Sequence, residues 1–210
     1  MATDRAQDPG PRTGLRERKK QETRQALGWA ALRLAVERGL DNVLVEDIAA
    51  EAGVSSRTFN NYFSSKAEAI CARHLDRVRQ VAVSLRARPS TEPLWEAITH
   101  AVLSQFGGQD HAPDPKWTAG VRLMLSEPAL QGEFLKANAV IEREFAAVIA
   151  ERTGTDADRD LYPRLVGAAV GAAIGVANDQ WLRADPPVPL TPLLHDALRQ
   201  VAALAVPSAE

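Results

Sequence analysis

One cysteine, Cys71, stands among 210 residues, so no internal disulfide can form and the fold owes nothing to oxidation. Long apolar runs are also missing. The longest, Leu165 to Ala177, is thirteen residues, against the roughly 20 that a membrane-spanning helix needs. The opening residues, MATDRAQDPGPRTG, hold no apolar stretch of the secretory kind. These absences are those of a soluble chain in a reducing cytoplasm, with no membrane partner. The sequence has no HExxH, CxxC, GxSxG or glycine-rich phosphate loop. His74, His100, His111 and His195 are scattered, and Glu96 with His100 makes two ligands without a third. No metal, cofactor or catalytic constellation is expected, which argues against an enzyme. Nor is there β-type alternation or an internal repeat.

What is present is ordinary for a globular chain: 45% apolar and 25% charged residues, enough to bury a core. The net charge of -2 conceals an asymmetry. Residues 1–88 hold 16 Lys/Arg against 11 Asp/Glu, and residues 89–210 hold 9 against 16. A basic module attached to an acidic body would produce this, and so would a solvated charge pattern without a partner.

Proline and glycine punctuate the chain. Residues 1–14 are expected to be a disordered tail. Helical spacing runs from about Arg16 to Arg38, with Leu27, Ala30, Ala31, Leu34 and Ala35 on one face and Gly39 as its stop. Short helices follow at Val45 to Ala52, closed by Gly53, and at Ser56 to Tyr62, capped by Ser55. Ser65-Lys66-Ala67-Glu68 reads as a capping box opening a helix to about Arg88. Further helices are expected over Thr91 to Phe106, Lys116 to Ser126, Pro128 to Gly154, Asp158 to Ala184 and from Thr191 onward, with a loop at Gly107 to Pro115. Along the Pro128 helix, Leu130, Phe134, Ala137, Ile141, Phe145 and Val148 make an amphipathic stripe. The fold class is all-α, of about nine helices.

The two short helices joined by Ala52-Gly53-Val54-Ser55 form a helix-turn-helix signature. Gly53 supplies the left-handed turn, Ala49 permits close crossing, and Ile48, Val54 and Phe59 close a small core. The second helix is then presented by its N-terminal end, as a helix entering a major groove must be. αα-Corners in ordinary bundles share the bare pattern.

The surrounding residues narrow it. IAAEAGVS at 48–55, Thr58-Phe59, Tyr62-Phe63 and Ser65-Lys66 resemble the DNA-binding domain of TetR-family transcriptional regulators, from Arg24 to roughly Leu75. The resemblance implies an N-terminal three-helix DNA-binding domain over 15–65, a connecting helix over 66–88, and a helical bundle for dimerisation and ligand binding over 89–210. Geometry and resemblance together put Ser56, Arg57 and Asn60 against bases. Arg57 suits guanine O6 and N7, and Asn60 suits adenine N6 and N7. The family match makes Thr58, Asn61, Tyr62 and Lys66 phosphate contacts. Arg16, Arg18, Lys19 and Lys20 form a basic arm for the backbone or the minor groove. Two departures stand out: Leu44 replaces the family's capping Thr, and Asn60 replaces a common aromatic residue.

In the C-terminal half, Gly167, Gly171 and Gly175 recur every fourth residue, as in seams where a second helix approaches closely. Family members dimerise through their last two long helices, which makes these glycines, with Leu194, Leu198 and Val201, the expected homodimer interface; packing within one chain is the other reading. The family also holds a small-molecule effector in this bundle. Trp95, Phe106, Trp117, Met124, Phe134, Phe145, Asn178 and Trp181 are the candidate lining. Arg122-Leu-Met-Leu-Ser-Glu-Pro128 and Leu161-Tyr-Pro-Arg-Leu165 resemble the branch containing the mycofactocin-system regulator, which implies acyl-CoA or another long apolar ligand. The expected function is a ligand-released dimeric repressor on a palindromic double-stranded DNA operator. The alternatives are an activator, or a DNA-binding protein of this fold acting through a protein partner.

Overall fold

Two glycines decide where the N-terminal helices stop: Gly39 at φ 78° and Gly53 at φ 70° occupy the left-handed region that side chains avoid. The computed structural model describes residues 11–106 and 115–205, with side chains from 15 to 106 and from 118 to 204. Among the described residues all regular structure is helical: nine α-helices and one 3₁₀ turn. The chain divides into two units, residues 1–73 and 74–210.

The first unit contains α1 (Pro11–Arg38), the 3₁₀ turn Leu40–Asn42, α2 (Val45–Glu51), α3 (Ser56–Asn60) and the first turns of α4 (Lys66–Ala87). Helix α1 starts at Pro11, ahead of the Arg16 start that its apolar face suggests and inside the expected tail. Proline suits a first helical turn, and the Glu, Arg and Lys residues that follow are good helix formers. Leu27, Ala31, Leu34 and Ala35 of α1 are buried, as are Ile48, Ala49, Phe59, Phe63 and Ile70, and α1 packs on α2 and α2 on α3. Each large side chain of this kind contributes about 1.5–3 kcal/mol by leaving water. Helix α1 crosses α4 closely at Gly28, where a Cβ would stand 3.1 Å from the Ala69 carbonyl oxygen. Beside it the Arg73 guanidinium covers the exposed Trp29 ring at 3.1 Å from its centroid.

The second unit holds the rest of α4, with α5 (Leu94–Phe106), α6 (Pro115–Ser126), α7 (Pro128–Thr153), α8 (Leu161–Arg183) and α9 (Leu190–Ala205). The expected 107–115 loop lies outside the described residues apart from Pro115, which opens α6. Helices α4 and α7 run parallel, tied by three rungs of nearly constant offset. His74 Nε2 lies 3.1 Å from Asn138 Oδ1, Arg79 Nη2 donates to Glu144 at 3.0 Å, and Arg86 Nε donates to Glu151 at 2.8 Å. At the far end of α4, Arg152 donates to the carbonyls of Arg88 and Pro89, each at 2.9 Å.

Helix α8 begins at Leu161 rather than Asp158. The Asp156 carboxylate accepts the N–H groups of Asp158 at 2.8 Å and Arg159 at 3.2 Å, which holds this stretch as a turn before the helix. Its buried stripe, Val166, Val170, Ala173, Ala177 and Trp181, packs among α7 and α9. On α9, Leu190, Leu194 and Leu198 are fully buried. Three of the residues expected at the interface face the inside of this unit instead. Leu194 and Leu198 fill this unit's own core, and buried Gly167 lies against Phe145 of α7, where an added Cβ would be 3.8 Å from the ring. The helical period fits either partner, so spacing alone does not reveal which face a neighbouring helix covers.

The face of α8 left outside is apolar: Leu161, Leu165, Ala168, Ala172 and Val176 follow one another at helical spacing, with Gly171 and Gly175 beside them. Leu165 is 62% exposed and Val176 64%. By length and composition α8 could cross a membrane, and 33% of its most apolar 18-residue window is buried inside the protein.

Candidate nucleic-acid interface and effector region

The candidate DNA-reading element is built from its turn outward. Val54 N–H returns to the Ala49 carbonyl at 2.9 Å, which fixes the exit from α2. Ser55 then caps α3: its Oγ accepts the Thr58 N–H at 3.2 Å and pairs with the Thr58 hydroxyl at 2.9 Å. Phe59 points inward and packs on Phe63 with ring centroids 5.7 Å apart. The Arg24 guanidinium sits 5.2 Å above the Phe63 ring. With Phe59 anchored, Arg57 and Asn60, three residues apart on one side of α3, are left exposed. Asn61 is also exposed, while Ser56, Thr58 and Tyr62 are half-buried. Helix α3 ends at Asn60, so Tyr62 stands in the following turn, its N–H bonded to the Phe59 carbonyl at 2.9 Å.

Leu44 occupies the N-cap of α2 without an oxygen to offer, and its side chain is 60% exposed. Asp47 compensates in part by accepting the Leu44 N–H at 3.1 Å. The capping box of α4 is shifted by one residue. Ser65 Oγ accepts the Glu68 N–H at 3.0 Å, but the Glu68 carboxylate takes the N–H and hydroxyl of Ser64, both at 2.7 Å.

Lys66 has partners inside the domain that the sequence does not announce. Its ammonium donates to the Leu40 carbonyl at 2.7 Å and the Val43 carbonyl at 3.1 Å. Two of its three protons are therefore spent inside the domain, bracing the stretch between α1 and α2. The partners lie more than twenty residues upstream, so no local pattern announces them. Arg16, Arg18, Lys19 and Lys20 are all exposed on α1 and belong to a helix rather than a loose arm. Arg18 reaches Glu22 at 3.7 Å and Lys20 reaches Glu17 at 3.8 Å, exposed pairs that tie up little charge.

In the second unit the candidate lining separates. Phe106, Met124, Phe145 and Trp181 are buried, whereas Trp95, Phe134 and Asn178 are half-buried; the Trp117 side chain lies outside the described residues. Asp179, beside Asn178, pairs with Arg183 at 2.6 Å. The indole N–H of Trp181 is buried and has no acceptor among the described residues.

Sequence reasoning missed the polar corner against which two of these rings stand. His74 stacks on Phe134 at 4.6 Å between centroids while bonding Asn138. Arg77, one turn along α4, holds its guanidinium 5.2 Å from the Phe106 centroid. Burial pushes the His74 imidazole below its ordinary value, outweighing the Asn138 hydrogen bond, with the Arg77 charge acting in the same direction as burial. Burial likewise pushes the Arg77 guanidinium down to about 10. The signal in the sequence was Asn138, a polar residue beside Ala137 on the apolar stripe of α7. Cys71 is buried, and no group of three or more metal-binding side chains occurs among the described residues.

A helix-turn-helix with an anchored α3, followed by a separate helical unit, defines a class of DNA-binding regulator. Residues 29–69 match the model of the bacterial regulatory proteins of the tetR family, and residues 92–205 match the MftR C-terminal domain. The chain belongs to the TetR family of transcriptional regulators. It is 33% identical over 178 residues to the transcriptional regulator TcmR of Streptomyces glaucescens, covering 82% of this chain and 79% of TcmR. It is 28% identical over 187 residues to MftR of Mycobacterium tuberculosis, named for transcriptional regulation of mycofactocin biosynthesis, covering 89% of this chain and 92% of MftR. A crystal structure of a TetR-family regulator from Syntrophomonas wolfei superposes with TM-score 0.64 at 19% identity, over 89% of this chain and 96% of the other. Family and relatives are regulators, not enzymes.

Proposed function

We propose that this chain is a cytoplasmic, homodimeric repressor that binds a palindromic operator and leaves it when a small apolar or amphipathic effector enters the second unit. The observation that carries the reading is the placing of α3: Phe59 is buried beneath it and Arg57 and Asn60 stand exposed above. On that helix Arg57, Asn60 and Ser56 read bases, and Thr58, Asn61 and Tyr62 meet phosphates through neutral hydrogen-bonding groups. Arg16, Arg18, Lys19 and Lys20 add the salt-dependent part. Lys66 acts mainly by holding the domain in shape.

Two-fold DNA sites call for a two-fold protein. The outer face of α8, with Leu161, Leu165, Gly171, Ala172, Gly175 and Val176, supports a second copy as its cover. Val201, half-buried on α9, belongs to the same proposal. An apolar face covered by another copy also accounts for the membrane-like composition of α8 without a membrane. The effector is assigned to the region of Phe106, Met124, Phe134, Phe145 and Trp181, with acyl-CoA or another long apolar molecule as the starting class. The test is selection from a pool of random duplexes: enrichment of an inverted repeat supports the reading, and a non-symmetric or absent motif removes it.

A further inference from the structure

The loop between α3 and α4, residues 61–65, carries two of the proposed phosphate contacts, Asn61 and Tyr62, and a carboxylate holds its far end. We propose that Glu68 is a positioning residue for operator binding: it touches no DNA, and by gripping Ser64 it sets where Asn61 and Tyr62 stand. The inference rests on the reading of Asn61 and Tyr62 as phosphate contacts and adds the residue that places them.

The loop has little of its own to hold it. Asn61-Tyr62-Phe63-Ser64-Ser65 contains neither glycine nor proline, so no residue presets a turn. Helix α3 has five residues and leaves this loop through shared bonds. The Asn61 N–H is divided between the Arg57 and Thr58 carbonyls at 3.2 and 3.1 Å, and the Phe59 carbonyl between the N–H groups of Tyr62 and Phe63 at 2.9 and 3.0 Å. After buried Phe63 the chain is taken up by Glu68. Its Oε2 accepts both the N–H and the hydroxyl of Ser64, each at 2.7 Å, the length of charge-assisted hydrogen bonds. The grip has a fixed base. Ser65 Oγ accepts the Glu68 N–H at 3.0 Å, and Lys66 ties the same turn of α4 to the carbonyls of Leu40 and Val43. Ser64 is exposed and Glu68 half-buried, so these bonds orient the loop more than they fill the core. Contacts to phosphate set the register of a protein on the duplex. Those of Asn61 and Tyr62 are directional hydrogen bonds, which weaken steeply when misaligned.

The test measures affinity of the full-length protein for the selected inverted-repeat duplex, at one salt and well below the thermal midpoint of each variant, with folding checked by circular dichroism. Glu68→Ala is expected to lose about tenfold. Glu68→Gln recovers most of that loss, because the amide oxygen still accepts from Ser64. Ser64→Ala removes the hydroxyl arm at an exposed position and loses about threefold. The deciding comparison is made in a protein that already carries Asn61→Ala and Tyr62→Phe. There Glu68→Ala and Ser64→Ala cost little, because the contacts they place are gone. If Glu68→Ala does not fold, Ser64→Ala decides in the same two backgrounds. Unchanged affinity in both single variants, or losses of full size in the Asn61→Ala, Tyr62→Phe background, overturn the positioning role. Parental affinity in the Asn61→Ala, Tyr62→Phe protein itself removes the phosphate-contact reading and this inference with it. A loss there, beside unchanged Glu68→Ala and Ser64→Ala, removes this inference alone.

Discussion

The ammonium of Lys66 donates to the carbonyl oxygen of Leu40 at 2.7 Å, joining the first turn of α4 to the 3₁₀ turn after α1. With Val43 at 3.1 Å it closes the frame around α2 and α3 from behind. Replacing Lys66 by Met therefore leaves two carbonyls short of a partner. Hydrogen bonds from charged groups contribute about 1.5–3 kcal/mol each at most, and partial exposure reduces the total. A loss of about 2 kcal/mol in urea unfolding is expected, with weaker operator binding as a consequence. Unchanged stability beside a shallower salt dependence of binding would instead make Lys66 a phosphate contact.

Leu44 offers the opposite experiment. Leu44→Thr supplies the missing cap oxygen at the start of α2 and removes an exposed apolar side chain. Stability should rise by about 0.5–1 kcal/mol. Operator affinity should also rise, while the slope of affinity against salt stays constant, because a neutral hydroxyl displaces no counterion. A loss of stability on this substitution would mean that Leu44 has a packing role.

His74 predicts a pH dependence. Its folded-state affinity for protons is lowered by burial, aided by Arg77 and opposed by Asn138. The unfolded chain takes up a proton near the ordinary value of 6.5 while the native chain resists it. The contribution is complete above that pH and is lost as the pH falls towards the depressed native value. Between about pH 7 and about pH 5, His74→Gln should therefore lose less stability than the parent. Identical slopes in the two proteins would count against the assignment.

The outer face of α8 predicts an assembly defect with little cost to the single chain. Val176 is 64% exposed, so Val176→Glu leaves the core intact. Light scattering should show the variant as a monomer and the parent as a dimer, with operator affinity reduced together with assembly. A dimeric variant would move the interface elsewhere.

These cases separate what was legible in the sequence from what was not. The Ile48, Gly53 and Phe59 arrangement was legible because turn chemistry and helical spacing act over a few residues, and the structure places all three accordingly. The internal partners of Lys66 were not legible because they are reached only by folding, across 26 and 23 residues. His74 and Asn138, 64 residues apart, were invisible for the same reason. On α8 and α9 the apolar positions were found but their sides were confused. Leu194 and Leu198 carry the period of a buried helix, and nothing local distinguishes the chain's own core from a second copy.

Arg57 carries the central claim. Fluorescence anisotropy of the protein on a selected inverted-repeat duplex, at physiological salt and beside Arg57→Ala, tests it most directly. The account predicts tight, sequence-selective binding that drops by about 1–3 kcal/mol per half-site in the variant, with discrimination lost at one base pair. Binding that vanishes with salt and is indifferent to Arg57→Ala would contradict it.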